Sequence, residues 1–436
     1  MDAPFLTGLI YCFLLFTLLV SNMWIATALG AVGLIGLYFV TGGGAVTMVG
    51  ELLFNSTNHF TYTMIPLFIF MGELIKHTGI SERLYDGASH WVRRIPGGLL
   101  HSNIVSCAIF SAVSGSSMAT AATIGAVAIP EMRKRGYQKR ILFGSLAAGG
   151  TLGILIPPSL GLIIYGSVVG ESIGELFIAG IIPGILMTAC FMLYVCLVAV
   201  FRPAMAPRGE KISLRGMIYS LKNVAPVTLL IFMVLGTIYL GVASPTEAAA
   251  LGAAMAFILA LLYRRLNWTN MTSSLSSALQ TSCYIMLIVV SAYILSMAFS
   301  MERIPAELTS AVTSLNINRY AIWALLVLVY IVIGAFIDGI SILLLTVPVV
   351  HPMMTALGFD SIWLGIVLTI CIEMGQITPP VGVNLFVIHG ISGRKHFKDV
   401  ILGSLPFFFI QILVVAILTI FPVLVTWLPS MMITRY

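Results

Sequence analysis

The chain is 436 residues long, 59% hydrophobic and 9% charged, with a net charge of +6 and a mean hydropathy of +1.06. Soluble domains carry about 25% charged residues, so this composition cannot build a water-facing surface and leaves no globular domain in its polar remainder. The positive balance is crowded into a few loops, where it reads as a topology signal rather than as an anion-binding face.

Runs of about 20 apolar residues are the length of a membrane crossing, and in chain order they fall at 4–21, 23–40, 60–76, 141–169 and 175–201. Met1-Asp2-Ala3-Pro4 lacks the positive start of a secretory leader, so the first run is expected to be a span. Residues 80–96 mix Ile80, Leu84, Trp91 and Val92 with Glu82, Arg83, Arg93 and Arg94, the pattern of an interfacial amphipathic helix. Residues 103–130 are apolar but lie between the basic clusters at Arg94 and Arg133, so the chain must return to its own side. That predicts a re-entrant hairpin. A polar linker, 202–222, carries Arg202, Arg208, Lys211, Arg215 and Lys222. Beyond it, spans are expected at 225–243, 246–263, 276–299, 362–392 and 400–428, with a second hairpin at 322–350. The six cysteines lie in apolar stretches without metal-ligand spacing and read as small core hydrophobes.

Shifted by 222 residues, the chain meets itself. Ala26, Ala28, Leu29, Gly30 and Ala31 fall on Ala248, Ala250, Leu251, Gly252 and Ala253. Pro130, Met132 and Gly136 fall on Pro352, Met354 and Gly358, and Gly153, Pro157 and Pro158 on Gly375, Pro379 and Pro380. Basic loops alternate between the copies. Lys76 to Arg94 and Arg133 to Arg140 match segments 298–316 and 355–362, which hold Arg303 alone. Arg264-Arg265 and Arg394 to Lys398 match Gly42-Gly43 and Ser172 to Leu176, which hold none. Opposite orientation of the halves explains this alternation, and five crossings per half produce it. The expected fold is all-α and integral to the membrane: two inverted-topology repeats, 1–201 and 223–436, joined by a cytoplasmic linker, each with about five transmembrane helices and one re-entrant hairpin. Both chain ends then face away from the cytoplasm.

Helix-breaking residues at bilayer depth are tolerated where they are buried in protein or line a cavity. One pair of such elements is Ser114-Gly115-Ser116-Ser117 with Thr120, and Gly149 to Gly153 running into Pro157-Pro158-Ser159. Its counterpart is Gly334, Asp338-Gly339 and Ser341, with Gly375-Gln376-Ile377-Thr378-Pro379-Pro380, Gly382 and Asn384. Two consecutive prolines remove two backbone donors and free carbonyls one turn earlier. Those carbonyls, with hydroxyls, make a hard-oxygen cage for a cation, and helix starts beyond the break suit a carboxylate. Ionisable groups in spans are functional candidates. Asp338 is the strongest, since it matches Ser116; Glu373 is either a functional acid or a structural hydrogen-bonding residue. Ser244-Pro245-Thr246-Glu247 reads as a capping box, and His351 and His389 as structural. No transition-metal spacing, nucleotide loop or facing catalytic pair is present, so the expectation is a transporter without cofactor or nucleic-acid partner, running on an ion gradient rather than an enzyme.

The stretches SGSSMATAATIGAVAIPEMRKRGY (114–137), GTLGILIPPS (150–159), GVASPTEAAALGA (241–253) and QITPPVGVNLFV (376–387) resemble the large membrane subunit of tripartite ATP-independent periplasmic (TRAP) transporters, over essentially the whole chain. The resemblance implies sodium-driven import of a small organic anion, such as a dicarboxylate, sialic acid or other sugar or keto acid, across the bacterial inner membrane by an elevator movement. It also implies a small four-helix membrane subunit, here expected as a separate chain, and a periplasmic substrate-binding protein. Carried over residue by residue, it places one sodium at Ser114, Ser117, Gly153, Ile156 and Pro158, and another at Gly339, Gly375, Thr378 and Pro380. Ser116, Thr120, Asp338, Ser341, Gln376 and Asn384 are left to bind or gate the substrate. The competing reading is a self-sufficient sodium–anion symporter of similar inverted hairpin design.

Overall fold

The computed structural model describes residues 3–205, 214–314, 317–393 and 395–432, and every regular element among them is a helix. The first half runs α1 (Ala3–Val20), α2 (Ile25–Thr41), α3 (Ala45–Thr57), α4 (Met64–His77), α5 (Ile80–Val92), α6 (Leu99–Ser114), α7 (Ser117–Lys134), α8 (Lys139–Gly150), α9 (Leu152–Leu155), α10 (Leu160–Val169) and α11 (Ile173–Phe201). The second half runs α12 (Leu214–Tyr239), α13 (Pro245–Leu262), α14 (Trp268–Met301), α15 (Ile304–Ser314), α16 (Arg319–Gly334), α17 (Gly339–Ala356), α18 (Ser361–Gln376), α19 (Val383–Ile391), α20 (Phe397–Ile420) and α21 (Val423–Ser430).

Among the described residues, eight helical runs are long and apolar enough to cross a membrane, and four shorter apolar helices accompany them. Large apolar side chains such as Phe13, Phe39, Phe201, Phe232 and Phe409 stand exposed, as a lipid-facing surface requires. The run from Lys139 to Val169 has 78% of its most apolar window buried, against 28% for Ile173–Phe201 and 22% for Ser220–Tyr239. The interrupted segments α8–α10 and α18 are therefore the centre of the molecule, wrapped by helices with one face open to lipid. All residues from Trp363 to Gln376 of α18 are buried.

Several elements differ from the sequence expectation. Helices α3 and α15 were assigned to no element; both carry apolar residues too sparse for a span but spaced for one helical face. The linker ends earlier than position 222, because α12 starts at Leu214. Leu214, Met217, Ile218, Leu221 and Val224 recur at helical spacing there, so Lys222 is carried on a helix face and does not stop the helix. Helix α14 has 34 residues, about 50 Å at 1.5 Å per residue, longer than the expected 276–299. The last span breaks at Phe421-Pro422 into α20 and α21. Cys107 and Cys371 are buried, but Cys12 and Cys283 are exposed on the outer surface rather than in the core. Arg208, Lys211 and Arg394 lie outside the described residues, as does the side chain of Arg215.

Candidate functional site

Two hairpins close on the two interrupted helices. In the first, α6 ends at Ser114, Gly115 turns the chain at φ 59°, and Ser116 caps α7 by accepting from Ala119 N at 3.4 Å. In the second, α16 ends at Gly334 and Asp338 caps α17, its carboxylate accepting from Ser341 N at 3.2 Å and Ser341 Oγ at 2.6 Å. Ser116 and Asp338 thus do the same local job 222 positions apart. The sequence reading took Asp338 as a functional acid; its D-x-x-S spacing to Ser341 is also a capping signal.

The opposing helices break at cis Pro157-Pro158 and cis Pro379-Pro380. Because prolines 157 and 158 have no N–H, Gly153 O and Ile154 O lose their helical donors. The Ile154 carbonyl instead receives the Ser159 hydroxyl. At the second break, Gly375 O and Gln376 O lose theirs, and Thr378 N donates to Gly375 O at 3.0 Å. Thr378 Oγ1 donates to Met374 O at 2.7 Å.

At the first tip, Ser114 Oγ and Thr120 Oγ1 lie 2.8 Å apart. Gly153 lies directly against the turn: a β-carbon there would stand 2.5 Å from the Ser116 carbonyl carbon. Ile156, extended at ψ 122°, and Pro158 carry the chain past Gly115, whose carbonyl accepts from Leu160 N at 3.4 Å. At the second tip, a β-carbon on Gly334 would stand 2.9 Å from the Gly375 α-carbon. Gly382 N donates to Ala335 O at 2.9 Å, and Gln376 Nε2 donates to Ile337 O at 3.0 Å. Gly339 packs with its α-carbon side toward Ile372 and Ile154, while Pro380 is exposed. Gln376 therefore ties its own hairpin in place.

Two expected residues sit differently from their neighbours in sequence. Ser117 turns away from Ser114: its hydroxyl donates to Glu373 Oε2 at 2.8 Å and accepts from Asn384 Nδ2 at 2.6 Å. Asn384, expected with the second break, reaches the first hairpin and the Ala147 carbonyl at 3.5 Å. Sequence reasoning missed Gln411, whose Nε2 donates to Thr151 Oγ1, in the first interrupted segment, at 2.8 Å. A glutamine inside the run FFFIQILVV was the available signal. Elsewhere, Ser244 and Glu247 form the expected capping box, with Ser244 N donating to Glu247 at 2.7 Å. His351 bonds Ser361 Oγ at 2.8 Å. Among the described residues no group of three or more His, Cys, Asp and Glu side chains is placed to hold a metal ion. The oxygens gathered at the first tip are hydroxyls and carbonyls, and the second adds the Asp338 carboxylate; these are hard donors, suited to an alkali cation rather than a transition metal.

On the cytoplasm-facing loops of the sequence reading, Arg133 donates to Ser392 O at 2.6 Å and Arg140 pairs with Asp399 at 3.3 Å. His396 lies beside them, and burial, then Lys139 and Arg133, push its ring below the ordinary histidine range against the opposing effect of Asp399. At the other end of α8–α10, Tyr165 donates to Ser361 O at 2.7 Å.

Comparison with known proteins matches residues 12–424 to the family described as "Tripartite ATP-independent periplasmic transporter, DctM component". The chain is 34% identical over 379 residues to the C4-dicarboxylate TRAP transporter large permease protein DctM of Pseudomonas aeruginosa, covering 87% of this chain and 88% of that protein. It is 30% identical to the sialic acid TRAP transporter large permease protein SiaM of Vibrio cholerae, covering 90% and 91%. Among solved structures, it is similar in fold to the Alcanivorax borkumensis YdaH transporter, with a TM-score of 0.66 at 13% identity, covering 93% of this chain and 97% of that one.

Proposed function

The chain belongs to the DctM family, the large permease component of TRAP transporters, and from that premise we propose that it imports a small carboxylate anion coupled to sodium across a bacterial inner membrane. The observation that carries this reading is the meeting of each hairpin tip with a helix interrupted by two prolines: Gly153 lies against the Ser116 turn next to the Ser114–Thr120 hydroxyl pair, and Thr378 stands at the second break. Carbonyl and hydroxyl oxygens of this kind suit a desolvated sodium ion, and the start of α7, capped by the neutral Ser116, offers a positive dipole end to the carboxylate.

The inverted arrangement of the halves is supported by the loop contacts. Arg133 and Arg140 touch the segment around Ser392 to Asp399, so these two basic clusters share one end of the molecule. Segment 355–362 lies with Tyr165, at the far end of the interrupted run that starts at Lys139. The copies of the 133–140 loop therefore lie at opposite ends. Elevator movement of the hairpin-bearing centre is part of the same proposal.

A large permease implies the remaining parts: a small four-helix membrane subunit and a periplasmic protein that delivers the substrate. The relatives' names give C4-dicarboxylates and sialic acid for those proteins; the shared chemistry is a carboxylate, and that is what we assign here. Uptake into vesicles holding this chain, a small subunit and a binding protein tests the reading. Uptake should require both sodium and the binding protein. Equal uptake by this chain alone would establish the self-sufficient symporter instead.

A further inference from the structure

Glu373 is a carboxyl that the two tip cages leave without a role. It is 1% exposed on α18, and among the described residues no Lys, Arg or His pairs with it. Its Oε2 accepts the Ser117 hydroxyl, while its Oε1 has no hydrogen-bond partner. Asn384, fully buried on α19, spends its amide protons on Ser117 Oγ and the Ala147 carbonyl, and its Oδ1 is likewise without a partner.

Three side chains from α7, α18 and α19 thus meet, and every donor among them is already used. What remains is acceptor: Oε1 and Oδ1, each one functional group away from the same Ser117 oxygen. Buried acceptors without donors are costly, and an unpaired buried carboxylate more so. A water molecule would supply protons but no charge. A single cation satisfies both oxygens and balances the carboxylate.

We propose that Glu373 and Asn384, with Ser117 as a third oxygen, bind a monovalent cation behind the tip of the first hairpin. One carboxylate with neutral oxygens matches one positive charge, whereas divalent ions are held by several carboxylates or keep their waters. The site is separate from the tip cages because the Ser117 hydroxyl turns away from Ser114 toward Glu373 and Asn384 of the second half. An ion here fastens the first hairpin to the second interrupted helix, and its loss frees one from the other. The assignment of the ion as sodium rests on the sodium-coupled reading above; the site itself does not.

Equilibrium binding of radioactive sodium to the purified full chain tests this. Glu373→Gln, which keeps shape and removes charge, should lower the number of bound ions by one. Ser114→Ala should weaken a different ion, and the double variant should show both effects. Asn384→Ala should weaken one ion about tenfold while the rest hold, and it decides the matter if Glu373→Gln does not purify as a single species. An unchanged ion count in Glu373→Gln, the result expected if that carboxyl carries its own proton, overturns the proposal while leaving sodium coupling intact. So does unchanged affinity for every ion in Asn384→Ala. Absence of any sodium binding by the unaltered chain overturns both this site and the sodium-coupled reading.

Discussion

Gly153 and Ser116 meet backbone to backbone: the 2.5 Å between a β-carbon on Gly153 and the Ser116 carbonyl carbon is closer than two such atoms can stand. Gly153→Ala must therefore push the hairpin tip off α9, with a strain of about 1–3 kcal/mol. Transport should fall to near background, and the purified protein should melt at lower temperature. Gly390→Ala, where nothing lies within 4 Å of the added carbon, should melt no lower than the parent. Equal behaviour of the two variants would show that the tip contact is dispensable.

The hydroxyls at the tips should set the sodium response. Ser114 Oγ is bonded across its own hairpin to Thr120, and Thr378 Oγ1 one turn back to Met374, and neither ties the halves together. Removing one buried hydrogen-bonding group costs about 1 kcal/mol, so Ser114→Ala with Thr378→Ala should raise the sodium concentration for half-maximal uptake by roughly tenfold or more. Insertion and melting temperature should change little. Uptake titrated against sodium gives the answer, and an unaltered curve counts against the tip cages.

The interrupted helices were legible in the sequence because Pro157-Pro158 and Pro379-Pro380 act locally: a missing N–H needs no tertiary partner to break a helix. The first hairpin followed from loop charge and the second from the repeat, and the SGSS and Asp338-Gly339 turns fell where the chain reverses. The meeting of Ser117 with Glu373 did not follow, since these residues are 256 positions apart and nothing local announces a pairing. Within the element list, α3 and α15 were missed because apolar density marks spans but passes over short helices that bury only one face.

Asp338 holds two roles that substitution can separate. As the cap of α17 it is replaceable by Asn, which caps as well, whereas Ala costs about 1 kcal/mol. Asp338→Asn should therefore keep the melting temperature of the parent and lose transport if its charge is used, while Asp338→Ala loses both. Glu247→Gln, at the exposed capping box of α13, should transport nearly as the parent does. If Asp338→Asn transports normally, its carboxylate serves only to cap.

His396 predicts a pH dependence of stability at the loop face. Its pKa in the folded protein lies below the ordinary value of about 6.5, through burial first and then Lys139 and Arg133. The unfolded chain therefore takes up the proton more readily. The stability this contributes is present above the ordinary histidine pKa and is lost as pH falls through the lower, folded value. Melting temperature should drop between about pH 7 and pH 5, and His396→Gln should flatten part of that drop. A pH profile identical in the variant removes His396 as its source.

Opposite orientation of the halves is the premise on which both tip cages depend, because only then do the hairpins enter from opposite faces. Lys134 and Ala356 close α7 and α17 at matching positions, and both are exposed. With the exposed Cys12 and Cys283 replaced, Lys134→Cys should react with an impermeant thiol reagent only from the cytoplasmic side, and Ala356→Cys only from the other. The positive-charge bias favours that order, since Arg133, Lys134 and Arg135 cluster at the first position and the matching segment 355–362 holds no Lys or Arg. Labelling of both from one side would place both hairpins on the same face, and the proposed cages would then have no pseudo-symmetric partner across the bilayer.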